Sequence, residues 1–292
     1  MQRRAFLRLA TGTALGSLGL LGAGCADTES PREPAASAAA GSRTLPHIGV
    51  QLYTLRRLMQ QDFDGVLRQV AEIGYDQVEF AGYYDRTPDA VKALLDEVGL
   101  TAPAVHVGLP ALRQNLAGVL DAAEVIGHRY VVCPWLAEED RTPEGYRTLA
   151  ADLNRFGEAC AARGLRMAYH NHDFEFEPID GKPAFDWLLE QTDPALVDIE
   201  LDLFWTVKAG QDPLAYFERY PGRFTLCHVK DMAGINGEQR MVAVGQGEID
   251  FARIFAASEQ AGLAYYFVEH DNPDDPLESI RTSYQYLSQL TF

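Results

Sequence analysis

Two histidines, His170 and His172, stand two residues apart at the end of an apolar run in the segment AYHNHDFEFE, residues 168–177. Other apolar runs end in polar residues in the same way, at Asp202, His228, Lys230 and Glu269. Imidazole nitrogens and carboxylate oxygens bind divalent cations, and they are also the usual acids and bases of proton transfer. These residue types therefore predict one polar site, provided that the fold brings the runs together.

Eight short β-rich runs, each followed by a helical pattern, indicate how the chain could do this. They are IGVQLYTL, YDQVEF, TAPAVHV, YVVCPW, RMAYHNH, VDIELDLFW, FTLCHVKD and YYFVEHD. Regular alternation of strand and helix is typical of parallel strands joined by crossover helices, and eight such units close best as a barrel. The sequence predicts a (β/α)8 TIM barrel over residues 45–292. A doubly wound open sheet is the alternative, but no glycine-rich phosphate loop follows the first run.

Alternate side chains of a barrel strand point inward, and those at the carboxyl ends of the strands face the mouth of the barrel. On six of the eight runs this period of two places polar residues on the inward face: Glu79, His106, His170, His172, Glu200, Asp202, His228, Lys230, Glu269 and Asp271. Buried charges are costly unless they are paired or bound to a metal. A shared site is therefore a better interpretation than scattered structural polar residues.

Four of these residues come from four successive strands: His170, Asp202, His228 and Glu269. Two imidazoles and two carboxylates make a good site for a divalent metal, with room for a substrate oxygen. Manganese is the first expectation, and cobalt, iron and zinc remain open because mixed nitrogen and oxygen ligands do not decide among them. The alternative is a hydrogen-bonded network of histidine and carboxylate without a metal.

From about Pro46 onward the chain resembles the sugar phosphate isomerase/epimerase group of xylose-isomerase-like TIM barrels, which includes ketose 3-epimerases and inosose dehydratases. The segments that carry the resemblance are AYHNHDFEF, ELDLFW, CHVKDM, VGQGEIDF and YFVEHD. The resemblance implies a divalent metal held by Glu, Asp, His and Glu from strands five to eight. Asp202, His228 and Glu269 fall on the last three positions, and His170 stands at the first, where Glu175 in the following loop could compete.

The histidine at that first position bears on the chemistry that the resemblance implies. In the ketose epimerases two metal-bound glutamates exchange a proton next to the carbonyl. Here a histidine and Glu269 could exchange it, or the proton could be removed and a group one carbon further on expelled, as in the dehydratases. His172 is the leading acid/base partner of Glu269, and a supporting hydrogen-bonding role is its alternative. The residues predicted to bind substrate are Gln51, Glu79, His106, Glu175, Trp205 and Lys230.

The sequence thus predicts a metal-dependent sugar isomerase or epimerase that acts on a small-molecule carbohydrate. A lyase that eliminates water or a glycosidic leaving group from a 3-keto sugar is the nearest alternative, and a non-catalytic sugar-binding lipoprotein is the alternative from another class. The 292 residues include 25 Lys and Arg against 42 Asp and Glu, a net charge of −17. Such a field repels a phosphate backbone, so nucleic acid is not an expected partner.

The first 25 residues, MQRRAFLRLATGTALGSLGLLGAGC, have a basic start, an apolar middle and small residues before a cysteine. They are predicted to be a twin-arginine export signal, and Cys25 is the predicted site of lipidation, with simple cleavage nearby as the alternative. Residues 26–44 are small, polar and rich in alanine, and they are predicted to be a flexible linker. We expect a periplasmic protein or a membrane-anchored lipoprotein.

Overall fold

Eight short parallel strands close into a barrel in a computed structural model of the protein, which describes residues 43–292. The strands are β1 Gly49–Gln51, β2 Gln77–Phe80, β3 Thr101–His106, β4 Tyr130–Cys133, β5 Arg166–His170, β6 Val197–Asp202, β7 Phe224–Val229 and β8 Tyr265–Val268. Each strand pairs with the next along the chain, and β8 pairs with β1. The predicted (β/α)8 barrel is confirmed. The predicted export signal, Cys25 and residues 26–42 of the predicted linker lie outside the described residues.

Helices follow the strands around the outside of the barrel. Their bounds are α1 Arg56–Met59, α2 Phe63–Ile73, α3 Pro88–Val98, α4 Leu109–Ile126, α5 Pro143–Ala161, α6 Ala184–Gln191, α7 Leu203–Lys208, α8 Pro213–Arg219, α9 Phe251–Ala256, α10 Ser258–Ala261 and α11 Pro276–Leu287. Short 3-10 turns occur at Leu52–Leu55, Glu138–Asp140 and Phe174–Phe176. Two small antiparallel ribbons pair Pro178–Ile179 with Lys182–Pro183 and Asp231–Ala233 with Arg240–Val242.

Capping residues fix where the outer helices begin and end. The Thr87 hydroxyl accepts a hydrogen bond from the backbone N–H of Ala90 at the start of α3, and Pro88 occupies the first turn. Helices α3 and α4 end at Gly99 and Gly127, whose φ angles are +77° and +94°. A residue with a Cβ is strained in that left-handed region, so glycine ends the helix and turns the chain toward the next strand.

An apolar cluster fills the lower part of the barrel. Its buried members lie on five strands: Ala104, Tyr130, Val132, Ala168, Leu226 and Phe267. A Cβ at Gly49 would lie 2.4 Å from the Phe267 ring, so glycine on β1 leaves the space that this ring occupies. Because inward side chains recur every second residue, the next inward positions above four members of the cluster are polar, namely His106, His170, His228 and Glu269. The cluster therefore forms the floor on which the polar residues stand.

Several features of the chain outside the site complete the fold. The backbones of Arg43 and Phe292 exchange two hydrogen bonds of 2.9 and 3.0 Å. Cys133, Cys160 and Cys227 are buried and none forms a disulfide within residues 43–292. Over the same range, no helix has both the length and the apolar character that crossing a membrane requires.

Candidate active site

A cavity of about 650 Å³ opens at the carboxyl ends of the barrel strands, where a barrel of this kind carries its active site. We call it the mouth cavity. The predicted site residues that line it are His106, His170, His172, Trp205, Lys230 and Glu269. Its volume lies within the range of small-molecule sites, about 300–1,000 Å³.

Four side chains around the base of the cavity form what we call the upper layer: His170, Asp202, Lys230 and Glu269. The Nε2 atom of His170 lies 3.2 Å from Oδ2 of Asp202. The Lys230 ammonium lies 3.0 Å from the same Oδ2 atom and 2.6 Å from Oε2 of Glu269. All four residues are buried, so the charges of this layer interact with little screening by water.

Local structure fixes two of the four residues. Asp202 ends β6 and caps α7, because its Oδ1 atom accepts the backbone N–H of Trp205 at 2.9 Å while Oδ2 turns to the upper layer. His170 ends β5, and its Nδ1 atom lies 3.3 Å from the carbonyl oxygen of Pro134. In the tautomer that donates Nδ1–H to this carbonyl oxygen, Nε2 presents its lone pair to Asp202.

The pKa values of the upper layer follow from its charges. Burial raises the pKa of Glu269, but the positive charges of Lys230 and His228 outweigh that effect and hold it well below its usual range. Burial lowers the pKa of Lys230, and the carboxylates of Asp202, Glu269 and Asp271 raise it well above its usual range. Burial and the neighbouring His228 and His106 lower the pKa of His170. The layer therefore combines the ionised carboxylate of Glu269, an ammonium ion and a neutral imidazole.

This arrangement fits a divalent cation. One ligand atom from each of His170, Asp202, His228 and Glu269 lies within 4.8 Å of the other three. A neutral imidazole lone pair facing a carboxylate oxygen at 3.2 Å is repulsive unless a cation or a proton lies between them. A mixed set of nitrogen and oxygen donors suits several divalent metals.

A second polar group lies one inward position lower in the barrel. We call its three residues, Glu79, His106 and Glu200, the lower layer. His106 Nε2 lies 2.7 Å from Oε2 of Glu200 and 3.4 Å from Oε1 of Glu79. Gln51 donates from Nε2 to Oε2 of Glu79 at 2.8 Å. Both carboxylates are fully buried.

His228 stands between the two layers. Its Nδ1 atom lies 2.7 Å from Oε2 of Glu269, and its Nε2 atom lies 2.8 Å from Oε2 of Glu79 and 3.2 Å from Oε2 of Glu200. Burial lowers the pKa of His228, but Glu200 and Glu269 raise it well above its usual range. One imidazole ring thus links the mouth cavity to the interior of the barrel.

Aromatic side chains form one wall of the mouth cavity. The ring of His172 packs edge-on against Trp135, with centroids 4.7 Å apart, and stacks on Phe174 at 5.5 Å. Burial and the neighbouring His170 hold the pKa of His172 well below its usual value, so the ring is neutral. Within residues 43–292 neither His172 Nδ1 nor Trp205 Nε1 has a hydrogen-bond partner, although both atoms are buried. Unpaired polar atoms beside a cavity are ready to meet a polar ligand.

Three predicted substrate contacts lie elsewhere. Glu175 is buried behind the cavity wall, where it accepts hydrogen bonds from the Tyr169 hydroxyl at 2.6 Å and from the backbone N–H of His172 at 2.7 Å. It neither lines the cavity nor joins the upper layer, because the 3-10 turn Phe174–Phe176 carries it inward. Gln51 and Glu79 lie beneath the cavity.

The sequence places Glu200 among the inward polar residues but gives it neither a metal-binding nor a substrate-binding role. Its position two residues before Asp202 on the same inward face was the available signal. The signal did not reveal that Glu200 would meet His106 and His228 from other strands.

The chain matches the family model described as xylose isomerase-like TIM barrel over residues 67–290. It belongs to that family. Among curated proteins it is similar to the inosose dehydratase of Geobacillus kaustophilus (strain HTA426), with 26% identity over 231 residues that cover 66% of this chain and 74% of the relative. It is also similar to the inosose dehydratase of Geobacillus thermodenitrificans (strain NG80-2), with 29% identity over 167 residues, 51% of this chain and 55% of that protein.

Solved structures give the same assignment. A sugar phosphate isomerase/epimerase from Parabacteroides distasonis ATCC 8503 superimposes with a TM-score of 0.73 and 27% identity, covering 88% of this chain and 98% of that one. The IOLI protein, solved with a zinc atom, has a TM-score of 0.65 and 17% identity over 82% of this chain and 95% of its own. The second likeness is one of fold. The homologues are therefore inosose dehydratases and sugar phosphate isomerase/epimerases.

Proposed function

We propose that this member of the xylose isomerase-like TIM barrel family is a divalent-metal-dependent enzyme that removes a proton next to the carbonyl of a sugar or keto-sugar. The observation that supports this most is the upper layer, where His170, Asp202 and Glu269 converge beside Lys230 at the base of the mouth cavity. A set of cation ligands next to an ammonium ion suits a reaction in which negative charge develops on an oxygen.

The residues that would hold the cation are His170, Asp202 and Glu269, joined by His228 when its Nδ1 atom carries the lone pair. A divalent cation bound there would polarise the substrate carbonyl and so acidify the neighbouring C–H group. Manganese is our first choice, and cobalt, iron and zinc suit the same donors. Metal analysis of protein purified from its native compartment tests that choice, since more zinc or iron than manganese would contradict it.

Two groups at the cavity can take part in proton transfer. Neutral His172 can accept a proton at its unpaired Nδ1 atom, and Glu269 is held as a carboxylate beside Lys230. The Lys230 ammonium can stabilise negative charge on the substrate oxygen. Trp135 and Trp205 offer aromatic faces to the apolar face of a sugar ring.

Isomerisation or epimerisation is the first candidate outcome. It needs one group to remove the proton and another to return it, and we assign these roles to Glu269 and His172. Elimination is the second candidate, because it needs only one base and His170 stands where the resemblance places a glutamate. The similarity to inosose dehydratases also supports this second candidate.

A single NMR time course in deuterated water separates these outcomes. Metal-loaded protein is incubated with a panel of keto-sugars and 3-keto glycosides, and a matched sample contains the same protein after metal removal. Deuterium incorporation with a new stereocentre, or a change in carbonyl position, supports an epimerase or isomerase. An unsaturated product or a released aglycone supports a lyase. Sugar binding without any exchange at full metal occupancy would contradict both and favour a binding protein.

We further propose that the protein is exported by the twin-arginine route and that Cys25 is acylated. The support is the RRAFLR segment followed by a short apolar stretch and LGAGC. Replacing Arg3 and Arg4 together by lysine should leave unprocessed protein in the cytoplasm, and Cys25→Ala should abolish lipid attachment. Normal export of the double-lysine variant would contradict the proposal.

A further inference from the structure

We propose that the lower layer, together with Nε2 of His228, binds a second divalent cation that is distinct from the one proposed at the upper layer. One ligand atom from each of Glu79, His106, Glu200 and His228 lies within 4.8 Å of the other three. Two carboxylates and two imidazoles in this arrangement are a complete set of four donors. The proposal does not depend on the reaction proposed above.

Two oxygen atoms in the lower layer point to a missing partner. Oε1 of Glu79 and Oε1 of Glu200 are buried and have no hydrogen-bond partner within residues 43–292. A buried polar oxygen without a partner is costly, and native structures normally satisfy such atoms. A cation between the two carboxylates would satisfy both.

The charge balance of the two layers supports the same inference. In the upper layer the carboxylates of Asp202 and Glu269 already have the Lys230 ammonium within 3.0 Å. In the lower layer no lysine or arginine forms an ion pair with Glu79 or Glu200 in the described part of the chain, and the groups that face them are imidazoles and the Gln51 amide. The lower layer thus has carboxylates but no permanently charged partner.

The His228 ring determines how two cations can be held. A neutral imidazole has one lone pair, so only one of its nitrogens can bind a metal while the other carries a hydrogen. If Nε2 binds the lower cation, Nδ1–H donates to Oε2 of Glu269 at 2.7 Å. The upper site then keeps His170, Asp202 and Glu269 as its three ligands.

Closed four-ligand sites are typical of structural zinc, whereas catalytic sites have three protein ligands and an open position. The lower layer has four protein donors, of which Glu79, Glu200 and His228 are fully buried and only His106 borders the mouth cavity. The upper layer opens onto the mouth cavity through His170 and Glu269. We therefore assign the lower site to a structural cation of the zinc type.

Metal counting tests this assignment directly. Full-length protein freed of metal is loaded with Zn²⁺, desalted and analysed by mass spectrometry, before and after brief exposure to EDTA. We expect two zinc ions per wild-type chain, of which the buried one resists EDTA. Glu200→Gln should bind one zinc ion that EDTA removes, and Asp202→Ala should bind one zinc ion that resists.

Glu175→Gln is the matched control, because Glu175 is a buried carboxyl that touches neither layer, and it should still bind two zinc ions. Should Glu200→Gln not fold, Glu79→Gln gives the same comparison, and the wild-type count needs no variant. A single zinc ion per wild-type chain, retained by Glu200→Gln and lost by Asp202→Ala, would overturn the proposal. The lower layer would then be a hydrogen-bonded network without a metal, and the proton-exchange assay would remain a separate test of the proposed reaction.

Discussion

The two polar layers of the barrel contain the same kinds of side chain but differ in access and in charge. The upper layer borders the mouth cavity and has Lys230 against its carboxylates. The lower layer rests on the apolar cluster and borders the cavity only through His106, and its two carboxylates face His106, His228 and the Gln51 amide. Donor identity alone therefore does not say which layer reacts with substrate. Wider access to the cavity and the presence of an ammonium ion are why we propose that the reaction takes place at the upper layer and that the lower layer has a structural role.

Removing an upper-layer ligand should have the largest effect on turnover. In Asp202→Ala we expect loss of the upper cation and fall of turnover to background, because the polarising charge disappears along with one of its ligands. Turnover with a panel of keto-sugars and metal content measured on the same sample check this. Far-UV circular dichroism should show a folded barrel. Wild-type turnover in Asp202→Ala would mean that the reaction uses neither this cation nor this layer.

Loss of His172 should slow the reaction without removing metal. If His172 is the acid/base partner of Glu269, His172→Ala should lower kcat by about 10²–10⁴ with little change in KM. His170→Glu is the matched control, since a carboxylate can replace imidazole as a ligand and metal should stay bound. Loss of metal in His172→Ala together with full occupancy in His170→Ala would show that the ligand and the base are the reverse of our assignment.

The sequence predicts the features of these layers that depend on local periodicity, but not the contacts between residues that are distant along the chain. The eight strands and the inward face of each follow from local periodicity, which is why His170, Asp202, His228 and Glu269 were found together. The register between neighbouring strands decides which of these inward side chains meet. Glu200 joins His106 across the barrel, and a single turn carries Glu175 behind the cavity wall. Neither outcome is encoded in the spacing of the residues along the chain.

Removing the ammonium ion would abolish the difference in charge between the layers. In Lys230→Met the carboxylates of Asp202 and Glu269 lose their permanent partner, which should lower kcat by about 10²–10³ and destabilise the metal-free protein by about 3–5 kcal/mol. Added metal should raise the Tm of this variant more than that of the wild type, because the cation then supplies the missing charge.

Lys208→Met is the control for Lys230→Met. Lys208 pairs with Asp173 at 2.8 Å, but both side chains are about one-third exposed, so loss of this pair should cost little. Equal metal-dependent shifts in Tm for the two variants would show that Lys230 does not compensate the charge of the upper layer.

The smallest expected effect concerns Glu175, which shows what burial does to a carboxyl that belongs to neither layer. Burial raises its pKa from 4.5 to about 7. Between these two pH values the folded protein holds a proton that the unfolded chain releases, so this group makes the free energy of unfolding fall as the pH rises from about 4.5 to about 7.

Glu175→Gln keeps the side chain neutral, and its amide can still pair with Tyr169 and the backbone of His172. The variant should lose this part of the pH dependence and be more stable than the wild type above pH 7. Thermal unfolding at several pH values measures the effect, with Glu177→Gln, an exposed carboxyl two residues away, as the control. Parallel stability curves for wild type and Glu175→Gln would mean that the hydrogen bonds to Glu175 offset its burial. In that case hydrogen bonds alone could also stabilise the carboxylates of the lower layer, and the inference of a second cation would rest on the metal count.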